Sequence, residues 1–83
     1  MRILVVEDEP TLLAQLVAAI TAAGHTVEMA RDGQEAAYLG EVEDFDAVVL
    51  DLGLPIVDGL SVLRGWRSQG RSMPVLILTA RSS

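Results

Sequence analysis

Acidic side chains follow two short apolar runs of this sequence, at the points where the runs end. Glu7 and Asp8 come directly after Ile3–Val6, and Asp51 comes directly after Ala47–Leu50. Carboxylates that converge repel one another, and Mg²⁺ relieves this because it prefers oxygen ligands from carboxylates, waters and phosphates. Aspartate is also a covalent nucleophile towards phosphoryl groups. These residue types predict a magnesium site at which a carboxylate accepts a phosphoryl group.

A hydroxyl side chain follows a third apolar run. Thr79 comes directly after Val75–Leu78, and a hydroxyl on a neighbouring strand end can hydrogen-bond the oxygens of a new phosphoryl group. Each feature also has a structural explanation. The three consecutive acids ending at Glu9 would complement the dipole of a following helix, Asp51 would begin a turn, and Thr79 would be an ordinary strand-end hydroxyl. The joint pattern favours the phosphoryl site.

Apolar spacing predicts the elements that position these residues. Four short runs rich in β-branched residues and leucine are predicted strands, namely Arg2–Val6, Thr26–Ala30, Ala47–Leu50 and Val75–Leu78. Between them, apolar residues recur at helical spacing after the start signals Pro10, Asp32 and Asp58. The order βαβαβαβ predicts an α/β fold, a doubly wound parallel sheet with helices on both faces. The functional crevice of such a sheet lies beyond the carboxyl ends of its strands, which is where the acids and Thr79 fall.

Composition excludes several classes of protein. The net charge is −6, from twelve acids against six arginines, which argues against binding of nucleic-acid phosphates by this segment. The absence of cysteine excludes disulfides and thiolate metal sites. No apolar run exceeds five residues, which is too short to span a membrane or form a signal peptide, so we expect a soluble cytoplasmic protein with no membrane partner.

Enzymes built on a similar parallel sheet contain sequence motifs that this chain lacks. The first predicted strand leads into Glu7–Pro10 where a dinucleotide site needs a glycine-rich turn, and no Walker-type phosphate loop is present. Phosphohydrolases with an aspartate nucleophile would carry a second acid at the position of Gly53. We therefore expect a regulatory phosphoacceptor, in which any phosphoryl transfer is to the protein itself.

Three segments resemble the receiver domain of response regulators. Ile3–Glu9 is similar to its first strand and acidic pair, Val48–Pro55 followed by Asp58 and Gly59 is similar to its phosphoacceptor segment, and Pro74–Arg81 is similar to its fourth strand. The order and the spacing agree as well, and the resemblance covers residues 1–83. It implies a flavodoxin-like, or CheY-like, sheet with strand order 2-1-3-4.

The resemblance also implies a role for each matching residue. Asp51 would accept the phosphoryl group from a phosphohistidine of a sensor histidine kinase. Asp8 and Asp51 would ligate Mg²⁺ directly together with the backbone carbonyl of Gly53, while Glu7 would contribute through water. Thr79 would be the switch hydroxyl, which moves towards the phosphoryl oxygens and displaces the loop that follows it.

The resemblance is strongest to receivers joined to winged-helix DNA-binding domains, so it implies control of transcription, with DNA contacted only through an effector domain outside this chain. The family pattern continues beyond the fourth strand with a helix, a fifth strand that carries a lysine and a closing helix, whereas this sequence contains no lysine. We therefore expect a truncated receiver that belongs to a longer polypeptide or that self-associates, by domain swapping or strand pairing through Val75–Leu78. The alternative function is a pairing module that takes no phosphate.

Overall fold

The computed structural model describes residues 1–78, which form strands and helices in strict alternation. In chain order they are β1 (Arg2–Val6), α1 (Pro10–Ala22), β2 (Thr26–Ala30), α2 (Gly33–Val42), β3 (Ala47–Asp51), α3 (Gly59–Ser68) and β4 (Val75–Leu78). The predicted order is confirmed. β3 runs one residue further than predicted, to Asp51, because Asp51 pairs with Leu78 of β4.

The strands form one parallel sheet in the order β2-β1-β3-β4, as the resemblance implied. Parallel neighbours cannot be joined by a tight hairpin, so a helix crosses over between them. β1 lies inside the sheet, and Leu4, Val5 and Val6 have no exposed surface. A strand that is buried on both faces is apolar throughout, which explains the continuous run in the sequence. The parallel alignment brings the carboxyl ends of the strands to one edge.

The two faces of the sheet carry separate hydrophobic cores. The larger core lies against α2 and α3, and it includes Leu4 and Trp66. The smaller core lies against α1, where Leu13 joins Ile3 and Val5. Successive residues of β1 therefore serve opposite cores, because side chains alternate along a strand. This is the doubly wound arrangement that the strand and helix order predicted.

Trp66 of α3 holds α3 against α2. Its side chain is 1% exposed, and its indole N–H donates to the carbonyl of Ala37 at 3.3 Å. A Cβ atom at Gly40 would overlap the indole ring, lying 2.6 Å from its Cζ2 atom. The two helices therefore meet through a large aromatic side chain that fits only over a residue without a side chain.

Two predicted helix starts carry the expected capping side chains. Asp32 accepts a hydrogen bond from the backbone N–H of Glu35 at 2.7 Å, and Asp58 accepts one from that of Ser61 at 2.9 Å. The Ser61 hydroxyl also donates to Asp58, and these bonds hold the pKa of Asp58 below its ordinary value. The cap of α3 therefore contributes stability above the ordinary aspartate pKa, and this is lost as the pH falls through the lowered value.

The loop between β3 and α3 contains a strained turn. Ile56 has a φ of 72°, in the left-handed region that a β-branched residue adopts only as an outlier. The backbone N–H of Val57 donates to the carbonyl of Pro55 at 2.8 Å, which closes a three-residue turn around Ile56. Such a conformation costs about 1–3 kcal/mol and persists only where the surrounding structure imposes it.

Candidate metal centre

Three carboxylates converge at the edge formed by the carboxyl ends of the strands. Glu7 and Asp8 directly follow β1, and Asp51 is the last residue of β3. Val6 pairs with Leu50, so the chain leaves β1 beside the end of β3. One carboxylate oxygen from each of the three acids can be chosen so that all lie within 4.8 Å of one another. The structure thus brings together the acids that the sequence assigned to one site.

The three acids differ in their exposure to solvent. The side chains of Glu7 and Asp51 are buried, with 3% and 5% of the residue surface exposed, whereas Asp8 is exposed. Burial raises the pKa of Glu7, and the nearby charges of Asp51 and Asp8 raise that pKa further. The backbone N–H of Glu9 donates to the Glu7 carboxylate at 3.0 Å, and this hydrogen bond opposes the rise. A cation bound between the acids would offset both the burial and the repulsion.

The backbone after β3 turns back over the Asp51 carboxylate. The N–H of Gly53 donates to Oδ1 of Asp51 at 3.2 Å. Gly59, the first residue of α3, packs against the same turn, and its N–H donates to the Leu52 carbonyl at 3.0 Å. A Cβ atom at Gly59 would lie only 2.8 Å from the Leu52 Cα, so the close approach requires glycine. The backbone of Gly53 is therefore held beside the Asp51 carboxylate, while the role of its carbonyl in metal binding stays a prediction.

Glu9 belongs to the helix and not to the acidic cluster. Its carboxylate accepts hydrogen bonds from the backbone N–H groups of Thr11 and Leu12, at 3.2 and 2.6 Å, and so caps α1. The helix-dipole explanation therefore holds for this one of the three consecutive acids. The signal in the sequence is the proline that follows it, because Pro10 occupies the first position of the helix and leaves Glu9 as the cap.

Thr79, the predicted switch hydroxyl, lies outside the described residues, so its role stays a prediction. The residue before it, Leu78, pairs with Asp51 across the sheet. The backbone N–H of Leu52 also donates to the Leu78 carbonyl, at 3.3 Å. The end of β4 is therefore adjacent to the end of β3, as the predicted site requires.

The donor set suits a hard divalent cation. All three side chains offer oxygen, which Mg²⁺ and Ca²⁺ prefer over nitrogen or sulfur. Mg²⁺ also retains several waters and is bound by one or two carboxylates, and the exposed side of the cluster at Asp8 leaves room for waters and phosphate oxygens. Within residues 1–78, no other group of three such side chains converges in this way.

Comparison with known proteins agrees with the predicted family. The family model for the response regulator receiver domain matches residues 3–83. The chain belongs to this family. The transcriptional regulatory protein PhoP of Escherichia coli K12 is 49% identical over 83 residues, covering 100% of this chain and 37% of PhoP. This chain therefore spans little more than a third of the length of that relative.

Two solved receiver structures superpose closely and contain magnesium. The receiver domain of the sensor histidine kinase PA1611 from Pseudomonas aeruginosa, with a magnesium ion coordinated in its active-site cleft, has a TM-score of 0.92 and 35% identity, over 96% of this chain and 67% of that one. The response regulator TrrA of Thermotoga maritima, in complex with Mg²⁺ and BeF, has a TM-score of 0.91 and 33% identity, over 98% and 70% of the two chains. Both the predicted family and the predicted fold are confirmed.

No helix within the described part of this receiver is long and apolar enough to cross a membrane.

Proposed function

We propose that this receiver domain accepts a phosphoryl group on Asp51 from a sensor histidine kinase, in the presence of Mg²⁺. The observation that carries the proposal is the convergence of Glu7, Asp8 and Asp51 within 4.8 Å at the carboxyl ends of two adjacent strands. In this assignment Asp8, Asp51 and the carbonyl of Gly53 hold the ion directly, and Glu7 acts through water. The magnesium-containing relatives of the same fold support the choice of ion.

The geometry suits nucleophilic attack by Asp51. The N–H of Gly53 engages Oδ1 of Asp51, and within residues 1–78 the second carboxylate oxygen accepts no hydrogen bond. That oxygen forms the new O–P bond as the N–P bond of the phosphohistidine breaks, and the electron pair returns to the imidazole, which then takes a proton. Bound Mg²⁺ would supply the positive charge that allows a carboxylate to approach an anionic phosphoryl group. Thr79 would then hydrogen-bond the phosphoryl oxygens as the switch.

The output of the parent protein is proposed from its relatives. PhoP is a transcriptional regulator, and this chain corresponds to 37% of its length. We propose that phosphorylation here controls a DNA-binding effector domain outside this chain, because the net charge of −6 opposes contact of the receiver itself with DNA. A cytoplasmic location follows if the phosphodonor is the cytoplasmic part of a kinase. The role is regulatory, and the phosphoryl transfer is to the protein itself.

The proposal predicts that acetyl phosphate with Mg²⁺ adds one phosphoryl group to the wild-type chain, at Asp51, as measured by intact-protein and peptide mass spectrometry. Asp51→Asn removes the nucleophile and is expected to abolish the addition, and chelation of Mg²⁺ is expected to reduce it strongly. The matched control is Asp44→Asn, which alters an exposed aspartate that pairs with Arg71. A wild-type chain that takes up no phosphate under these conditions contradicts the proposal.

A second candidate function, pairing through β4, is favoured by the surface of that strand. Leu76 and Ile77 are 63% and 42% exposed, and β3 is the only neighbour of β4 within residues 1–78. The carbonyls of Pro74 and Leu78 accept hydrogen bonds from the β3 side, so the alternation of the strand leaves the backbone groups of Val75 and Ile77 on its outer side. Apolar side chains beside such groups favour pairing with another strand.

Self-association through β4 predicts concentration-dependent dimers of the 83-residue chain in sedimentation experiments. Ile77→Lys is expected to return the chain to monomer, because a lysine on an edge strand opposes strand pairing. Arg64→Lys, on an exposed position of α3, is the matched surface control. A monomeric wild-type chain that is phosphorylated on Asp51 would exclude pairing and retain the first function.

A further inference from the structure

The start of α2 meets the loop between β3 and α3 at a glycine. The N–H of Gly33, the first residue of α2, donates to the carbonyl of Pro55 at 3.2 Å. A Cβ atom at Gly33 would overlap the carbonyl oxygen of Val57 and would lie 2.6 Å from its carbonyl carbon. Any side chain at this position would therefore push the loop away from α2, and trimming the Val57 side chain would not relieve the clash.

This contact lies at the strained part of the loop. The Pro55 carbonyl accepts hydrogen bonds from both the N–H of Gly33 and the N–H of Val57, the second of which closes the turn around Ile56. A β-branched residue at a φ of 72° remains there only when its surroundings over-determine the conformation. The side chain of Ile56 is 72% exposed, so its own packing supplies little restraint. Gly33 supplies a restraint from outside the loop.

The same loop carries the backbone of the metal centre. Gly53 lies two residues before Pro55, and its N–H holds Oδ1 of Asp51. We infer that Gly33 is a positioning residue for the metal centre, because it fixes the strained turn and so holds the Gly53 backbone against Asp51. This inference rests on the proposed function, in which the Gly53 carbonyl and Asp51 bind Mg²⁺, and it assigns a role to a residue outside the acidic cluster.

The test compares Gly33→Ala with Gly65→Ala. Both replace a helical glycine by alanine, but a Cβ atom at Gly65 has no atom within 4 Å. In Gly33→Ala, we expect the amide hydrogen of Val57 to exchange faster with solvent in the metal-free protein, and Mg²⁺ affinity to fall about tenfold, within the range found when a supporting partner of a metal ligand is lost. Gly65→Ala is expected to match the wild type in both. Exchange is followed by NMR and affinity by titration calorimetry, at a temperature where both variants are folded.

A second variant covers the case in which Gly33→Ala does not fold. Combining it with Ile56→Gly lets the loop move away from the added methyl group, so the double variant is expected to fold but to keep a fast-exchanging Val57 amide and a lowered Mg²⁺ affinity, and wild-type values in this variant would overturn the inference. Wild-type exchange and affinity in folded Gly33→Ala would overturn the inference. If neither Gly33→Ala nor the double variant folds, the inference is overturned too, since Gly33 would then be needed for the whole fold and not for the loop.

The outcomes for this inference and for the proposed function are separable. A wild-type chain that takes no phosphate on Asp51 contradicts the proposed function, whereas the exchange rate of the Val57 amide in metal-free protein still reports whether Gly33 holds the loop. Conversely, phosphorylation of the wild type with unchanged loop exchange in Gly33→Ala keeps the proposed function and removes the role of Gly33.

Discussion

Replacing Asp8 by alanine is expected to weaken Mg²⁺ binding about 100-fold, the upper end of what loss of a supporting partner costs, because Asp8 is proposed as a direct ligand. Asp8 is the exposed member of the three converging acids, so its loss removes a negative charge and an oxygen ligand from the side where the ion would enter. The remaining acids, Glu7 and Asp51, are both buried, and they offer the ion fewer carboxylate ligands. Titration calorimetry, or the rise in melting temperature with added Mg²⁺, measures the effect.

The same change is expected to have the opposite effect on the metal-free protein. The charge of Asp8 raises the pKa of Glu7, which means that the two carboxylates repel each other in the folded state. Removing Asp8 should therefore leave the metal-free free energy of unfolding equal to or higher than that of the wild type, as expected where function opposes stability. Glu41→Ala removes an exposed acid of α2 and is the matched control, with Mg²⁺ affinity near wild type. Equal Mg²⁺ affinity in the two variants would exclude Asp8 from the site.

Replacing Trp66 by alanine is expected to lower the free energy of unfolding by about 3–5 kcal/mol, as for other buried large-to-small changes. A domain of 83 residues has a total stability of only about 4–12 kcal/mol at ordinary values per residue. The indole is 1% exposed, donates to the Ala37 carbonyl and fills the space over Gly40, so its loss leaves a cavity between α2 and α3. Urea unfolding followed by circular dichroism measures the change.

The matched control for this prediction is Tyr38→Ala. Tyr38 is an aromatic residue of α2 that is 62% exposed, so removing its side chain removes little buried apolar surface. We expect a change within about 0.5 kcal/mol, as for other surface substitutions. A loss of stability in Trp66→Ala no larger than in Tyr38→Ala would contradict the assignment of the indole as the main contact between α2 and α3.

The elements and the acidic cluster were predictable because both are encoded locally. Continuous apolar runs predicted the strands, since a strand buried on both faces has no polar alternation, and β1 is buried in this way. The rule that crevices lie beyond the carboxyl ends of parallel strands then selected Glu7, Asp8 and Asp51, which the structure places together. The same rule selected Thr79, whereas its switch role and the part of Gly53 in metal binding came from the family resemblance, and all of these stay predictions.

The sequence by itself determined which segments become strands and helices, and which carboxylates end at one edge of the sheet. Only the tertiary structure decided that Gly40 lies under Trp66 and that Gly33 contacts the strained loop. The physical reason is the range of the interaction. The apolar pattern that predicts a strand or helix is visible within a few neighbouring residues. The space available to a side chain, in contrast, depends on elements that are distant in the chain and meet only after packing.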